Sequence, residues 1–270
     1  EDGIRDSSTS RGLGDVYKRQ GNIVRLQTVV SEIVKRHKYP TNVESLFADT
    51  LTITACLGSR MKHDGVFTIQ AKGTGDIHTL FSDITSDGSL RGYASIISDF
   101  SNRESNLNYL MGSGHVSFTL DQGKHSKRYQ GIVSLEEQSM SKITELYFNN
   151  SEQLETKFVT FNYFDIEKNN RKNLFSAGLI MLQNMPVKNS FDEASNEEIW
   201  QNSLNFLSTL GKEEFLSINL TSEEILYRLF NELEITVYDE IIIQDQCRCT
   251  EEKIKSVSYT HLTLPTSDLV

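Results

Sequence analysis

Residues 66–97, VFTIQAKGTGDIHTLFSDITSDGSLRGYASII, decide the fold class. Three runs stand out within them: VFTIQAK (66–72), IHTLFSDI (77–84) and LRGYASII (90–97). In each, apolar side chains recur largely at every second residue, the period of a strand with one face buried. The connections GTGD and SDGS are built from glycine, serine and aspartate, which favour tight turns. Three strands joined by short turns predict a largely antiparallel sheet.

Upstream, GNIVRLQTVVSEIVKRHKYP (21–40) sets Val30, Ile33 and Val34 at helical spacing, with Pro40 as a stop. TNVESLFADTLTITACLGSRM (41–61) opens with Thr41 and Glu44 in the pattern of a capping box. Val43, Leu46, Phe47, Thr50, Leu51 and Leu57 then share a face, which predicts a long buried helix. Downstream, HVSFTLDQGKHSKRYQGIV (115–133) reads as two strands around a polar connection. SMSKITELYFNN (139–150) returns to helical spacing, and KFVTFNYFDI (157–166) and SAGLIMLQNMP (176–186) read as further strands. Residues 21–186 are therefore expected to form one α+β domain.

Beyond a polar stretch at 187–195, NEEIWQNSLNFLSTLG (196–211) carries an apolar face of Ile199, Trp200, Leu204, Leu207 and Leu210. TSEEILYRLFNE (221–232) starts with a second capping-box pattern, Thr221 and Glu224, followed by Ile225, Leu226, Leu229, Phe230 and, just beyond, Leu233. Short amphipathic helices are not stable alone, so residues 187–240 are expected to form a helical linker docked on the sheet domain. Permanent packing and reversible docking suit this pattern equally.

The chain of 270 residues carries a formal charge of −10 and no clustered Lys/Arg face, which argues against nucleic acid or anionic membrane as partner. No apolar run approaches the roughly 20 residues needed to span a bilayer. Three cysteines, two of them one residue apart, do not make a disulfide framework and suit a reducing compartment, so a cytoplasmic protein is expected. The ends read differently. The DNA GATGTGTATAAGAGACAG encodes residues 15–20, and its reverse complement, one base out of phase, encodes 257–261. That DNA is a transposon end used in sequencing libraries, so residues 1–20 and 257–270 are expected to be adaptor-derived and to say nothing of the fold. The gene is then expected to be cut shortly after Cys249.

Cys247-Arg248-Cys249 is the one pair with a distinctive spacing. Two close thiolates can hold zinc, but a closed structural site wants four ligands, so spacing alone leaves metal or redox chemistry and coincidence both open. Cys56, inside the long helix, is expected to be core packing. The GTG at 73–75 lacks the longer glycine pattern and following helix of a dinucleotide site, and reads as a turn. Asp64, Asp83 and Asp87 fall near strand ends, where acids cap turns. His37, His63, His78, His115, His125 and His261 show no metal-binding spacing. No catalytic constellation emerges, and the chain is not expected to be an enzyme.

Taken in order, GNIVRL, LFADTLTITACLGSRMKHDGVFTIQAKGTG, TSDGSLRGYA, FTLDQG, RYQGIV, YFNNSEQLET, SAGLIMLQNMP, LYRLFNE and CRCTEEKI resemble the heat shock protein 33 family of redox-regulated chaperones. The resemblance implies a substrate-binding and dimerising domain at 21–186, a helical linker at 187–240 and, at 241–256, the start of a zinc-binding redox domain. In the family, zinc is held by Cys-x-Cys and a later Cys-x-x-Cys. Only Cys247 and Cys249 carry over, as metal ligands and as partners of a redox disulfide, and this truncated set is expected to hold zinc weakly. The implied activity is that of an ATP-independent holdase for unfolded or oxidatively damaged proteins. Oxidation releases zinc and loosens the linker, and the active form is a homodimer. Which residues touch clients is not legible. Two rival expectations are a constitutively open binding module and a small-molecule enzyme using Asp83 and Asp87.

Overall fold

The structure, a computed structural model, describes residues 7–13, 19–59, 61, 64–97, 106–123, 128–165, 174–186, 193–233 and 235–246. In chain order, β1 (Ser7–Leu13) and β2 (Arg19–Leu26) lead into α1 (Thr28–His37) and α2 (Thr41–Gly58). A meander follows of β3 (Val66–Gly73), β4 (Ile77–Thr85) and β5 (Ser89–Ile96), then α3 (Leu107–Met111), β6 (Gly114–Asp121) and β7 (Tyr129–Ser134). Next come α4 (Met140–Tyr147), running into a π-helical turn at Phe148–Glu152, then β8 (Thr156–Asp165) and β9 (Leu174–Asn184). The chain continues through α5 (Glu193–Ser208), α6 (Lys212–Phe215) and α7 (Ser222–Leu229) to β10 (Ile235–Val237), β11 (Ile241–Ile242) and β12 (Gln244–Asp245).

The strands form two six-stranded sheets instead of the single sheet expected. One has the order β10-β1-β2-β9-β8, with β11 also on β1; the other has the order β12-β5-β4-β3-β6-β7. Every pairing is antiparallel except β12 on β5. The α+β class and the meander at 66–97 are as read from the sequence, and the largely antiparallel character extends to both sheets.

Helix α2 packs against strands of both sheets and is buried on nearly every side, from Val43 and Phe47 to Ile53 and Cys56. Threonines can line such a helix because their hydroxyls donate to its own carbonyls: Thr50 to Leu46 at 2.9 Å and Thr54 to Thr50 at 2.8 Å. The predicted capping box at its start does not form. Pro40 is the N-cap, so Thr41 already lies in the helix, and proline has no N–H for the Glu44 carboxylate to accept. Glu44 is instead buried, which pushes its carboxyl pKa upward.

Residues 19–26 form a strand, where the sequence reading found only the helix that follows. Ile23 and Val24 enter apolar layers on opposite faces, so no polar alternation betrays the strand. Residues 7–13, set aside above as adaptor-derived, pair along β2. Such pairing uses main-chain groups that any sequence supplies, and it leaves the origin of the codons open. Among the described residues no helix is long and apolar enough to cross a membrane.

Candidate functional site

Alternation in β2, β8 and β9 gives the first sheet two apolar faces. Val24, Phe158, Leu179 and Met181 join the core around α2, while Ile23, Phe161, Ile180 and Leu182 point the other way. Register keeps each set together, with Ile23 opposite Ile180 and Val24 opposite Leu179. Helices α5 to α7 cover the outer set with Trp200, Leu207, Phe215, Ile225, Leu226 and Leu229. Phe215 stacks on Phe161 at 4.4 Å between ring centroids. The expected docking of the linker on the sheet domain is thus observed, and the capping box of α7 forms in full. Thr221 N–H donates to Glu224 at 2.8 Å, and Glu224 N–H to the Thr221 hydroxyl at 3.1 Å.

Two arginines from β2 tie the linker down. Arg25 donates from Nη1 to the Leu220 carbonyl at 2.6 Å and from Nη2 to the Ser217 carbonyl; Arg19 donates to the side chain and carbonyl of Asn196. The interface is nevertheless imperfect. A void of about 40 Å³ remains beside Trp200 and Ser203, and the buried Trp200 Nε1 and Arg19 Nε find no acceptor among the described residues. A buried donor without a partner costs about 1–3 kcal/mol. Undocking would return both donors to water.

From α7 the chain passes along β1 as β10 and β11, buries Ile243 in the main core and joins β5 as β12. Gln244 N–H donates to the Gly88 carbonyl at 3.0 Å, Ser89 Oγ to Gln246 Oε1 at 2.9 Å, and Asp245 pairs with Arg36. Cys247 and Cys249 come directly after this strand and lie outside the described residues. Among the described residues no three His, Cys, Asp or Glu side chains gather as a metal site.

The other candidates do not come together. Cys56 is fully buried, with its sulfur 3.9 Å from that of Met181, a packing role as expected. Asp83 is not a turn cap: it sits within β4 and accepts from Arg91 at 2.8–3.1 Å in a bidentate pair. Asp87 does hold its turn, accepting from the Thr85 hydroxyl and Ser89 N–H, bonds that lower its pKa. Asp64 lies 3.5 Å from the Ser86 hydroxyl. His37 stacks on Tyr39, and burial lowers its pKa; His78 and His115 are exposed on separate strands. His63, His125 and His261 lie outside the described residues.

Comparison with known proteins decides the family. Residues 9–258 match the family described as Hsp33 protein. The chain belongs to the Hsp33 family. Its Hsp33 relatives include the 33 kDa chaperonin of Pseudomonas putida, 30% identical over 245 residues that cover 91% of this chain and 77% of the relative. The 33 kDa chaperonin of Caulobacter vibrioides is 30% identical over 261 residues, covering 93% and 84%. The crystal structure of the Hsp33 homologue from Thermotoga maritima superposes with a TM-score of 0.73 at 20% identity, over 94% of this chain and 85% of that one, and supports the fold. Relatives of this Hsp33 chain are thus named as chaperones, not as catalysts.

Reading the sequence missed the two arginines that anchor the linker: Arg25 because its acceptors are main-chain carbonyls with no pattern of their own, and Arg19 because residues 1–20 were set aside as adaptor-derived. It also missed a polar cluster of Tyr129, Tyr147 and Glu152, whose members are joined by topology rather than by spacing.

Proposed function

We propose that this Hsp33-family chain is an ATP-independent holdase whose client-binding surface is the apolar sheet face beneath α5 to α7, opened by oxidation of Cys247 and Cys249. The observation that carries the reading is that face itself. Ile23, Phe161, Ile180 and Leu182 are closed off by short helices whose stability depends on docking. An uncovered apolar face of this kind binds unfolded chains without a signature motif. The helices connect through β10 to β12 to the residue preceding Cys247, so a change at the thiols is passed first to the two-residue strand β12.

The redox step needs a peroxide as oxidant. One thiolate attacks the O–O bond, giving a sulfenic acid and water; the second thiol displaces the sulfenic oxygen as water and forms the disulfide. Thiolates are zinc ligands in kind, and when bound zinc would hold both cysteines in the thiolate form. In number they fall two short of a closed site, and Cys56 is buried in α2. Zinc is therefore expected to be held weakly, and a mild chelator should strip it; stoichiometric, chelator-resistant zinc would contradict this. The same reading expects unfolded or oxidatively damaged proteins as clients, a homodimer in the oxidised state and a reducing cytoplasm as its setting.

Light scattering from a thermally unfolding client tests the proposal. The reduced protein should leave aggregation unchanged, and peroxide treatment should suppress it. Cys247→Ser and Cys249→Ser should each abolish the response to peroxide. Equal suppression before and after peroxide would mean a permanently open binding module.

A further inference from the structure

The outer edge of β5, in the second sheet, is covered by two other parts of the chain. Along its first half lies β12, parallel to it, with Gln244 N–H donating to the Gly88 carbonyl at 3.0 Å and Gln246 N–H to the Leu90 carbonyl at 3.3 Å. Farther on, His37 bonds the Gly92 main chain. The Tyr39 hydroxyl donates to the Ala94 carbonyl at 2.9 Å and accepts from its N–H at 2.7 Å. These two coverings differ in kind. His37 and Tyr39 stack on each other, and Tyr39 packs against the main core, so they close that half of the edge for good. The strand β12 runs on to Cys247, one residue past Gln246, and is the part of the covering that the thiols reach first.

The seat of β12 is shaped for an extended chain. Ile243 enters the main core and is 1% exposed, while Asp245, two residues on, pairs with Arg36 of α1. Gly88 leaves room for a second main chain: a Cβ there would stand 2.2 Å from the Ile242 carbonyl oxygen. Take β12 away and β5 becomes the last strand of its sheet, with the Gly88 and Leu90 carbonyls turned outward beside an apolar hole. Those carbonyls accept from any main-chain N–H, so they read extension and not sequence. The hole adds one requirement, a large aliphatic side chain.

We propose that β12 is an internal stand-in for client: when oxidation of Cys247 and Cys249 draws it off β5, an extended segment of an unfolded polypeptide adds to the same edge with an aliphatic residue in the Ile243 place. In the reduced chain the edge is filled, so capture here waits on oxidation, as it does under the linker. Size argues for a chain segment over a second copy. Specific dimers bury roughly 1,200–2,000 Å², far more than a seat the length of Ile243–Gln246 that ends at His37 and Tyr39. The proposal rests on the holdase reading and adds to it a surface on the other sheet.

Fluorescence anisotropy with a labelled Glu-Ile-Ile-Ile-Gln-Asp-Gln peptide, the sequence of residues 240–246, tests this on the full chain. The peptide should bind the peroxide-oxidised chain and not the reduced one. N-methylation at the positions of Gln244 and Gln246 removes both main-chain donors and keeps every side chain. It should weaken binding about tenfold or more, the worth of two hydrogen bonds. Saturating peptide should also lower the suppression of client aggregation by the oxidised chain. Equal binding to the two redox states, or equal binding of the methylated peptide, would overturn the proposal. So would a peptide that splits an oxidised dimer and spares client capture, which would place a second copy on the edge. If the oxidised chain suppresses no aggregation at all, the holdase reading fails; oxidation-gated binding that N-methylation abolishes would still assign the β5 edge to extended chain.

Discussion

Trp200→Ala is expected to suppress client aggregation in the fully reduced state, without any oxidant. Trp200 is 1% exposed, packs on the outer face of the first sheet and lies with its ring 5.9 Å from the Arg19 guanidinium carbon. Truncating a buried tryptophan to alanine costs about 3–5 kcal/mol. That loss falls on linker docking, because the core around α2 lies on the other side of the sheet. At 1.4 kcal/mol per tenfold, about 4 kcal/mol shifts the docked-to-undocked ratio roughly a thousandfold. Hydrogen exchange should show amides of α5 and α7 losing protection while β3, β4 and β6 keep theirs. A reduced variant with unprotected linker helices and no holdase activity would separate linker release from client binding and defeat the proposed mechanism.

The same division between the two faces explains what the sequence displayed and what it concealed. The β3–β5 meander was legible because its sheet buries one face and leaves the other to polar side chains, so alternation survives in the residue order. The strand β2 was hidden because Ile23 and Val24 are both apolar while serving different layers. Helix α2 was recognised as buried, yet Thr50, Thr52 and Thr54 gave no hint of burial on every side, since their hydroxyls are satisfied within the helix. Strands of two or three residues, such as β11 and β12, follow from their partners and leave no periodic trace. The linker's apolar stripe was plain; its docking surface was not, because that surface is divided among three strands. Of the thiol pair, only spacing and family resemblance speak.

Asp49→Asn is expected to stabilise the protein near pH 7.5 and to have no effect near pH 2.5. Asp49 lies in α2, partly exposed at the surface, and accepts from Asn162 Nδ2 at 3.0 Å. Burial pushes its carboxyl up to about 6 from the ordinary 3.8, a rise the Asn162 bond only partly offsets. Below about pH 3 the carboxyl is protonated in folded and unfolded chains alike, so it exerts no pull. As pH rises towards 6 the unfolded chain gives up its proton first, and stability falls. Above about 6 the penalty is complete, and the difference between the two values corresponds to about 3 kcal/mol. Asparagine cannot ionise, keeps an oxygen for Asn162 and has nearly the same helix propensity as aspartate. Urea unfolding of both proteins across this range should give curves that coincide at the acid end and separate by about 2–3 kcal/mol above pH 7. Parallel curves would mean that the carboxylate stays solvated in the fold and that its burial has no energetic consequence.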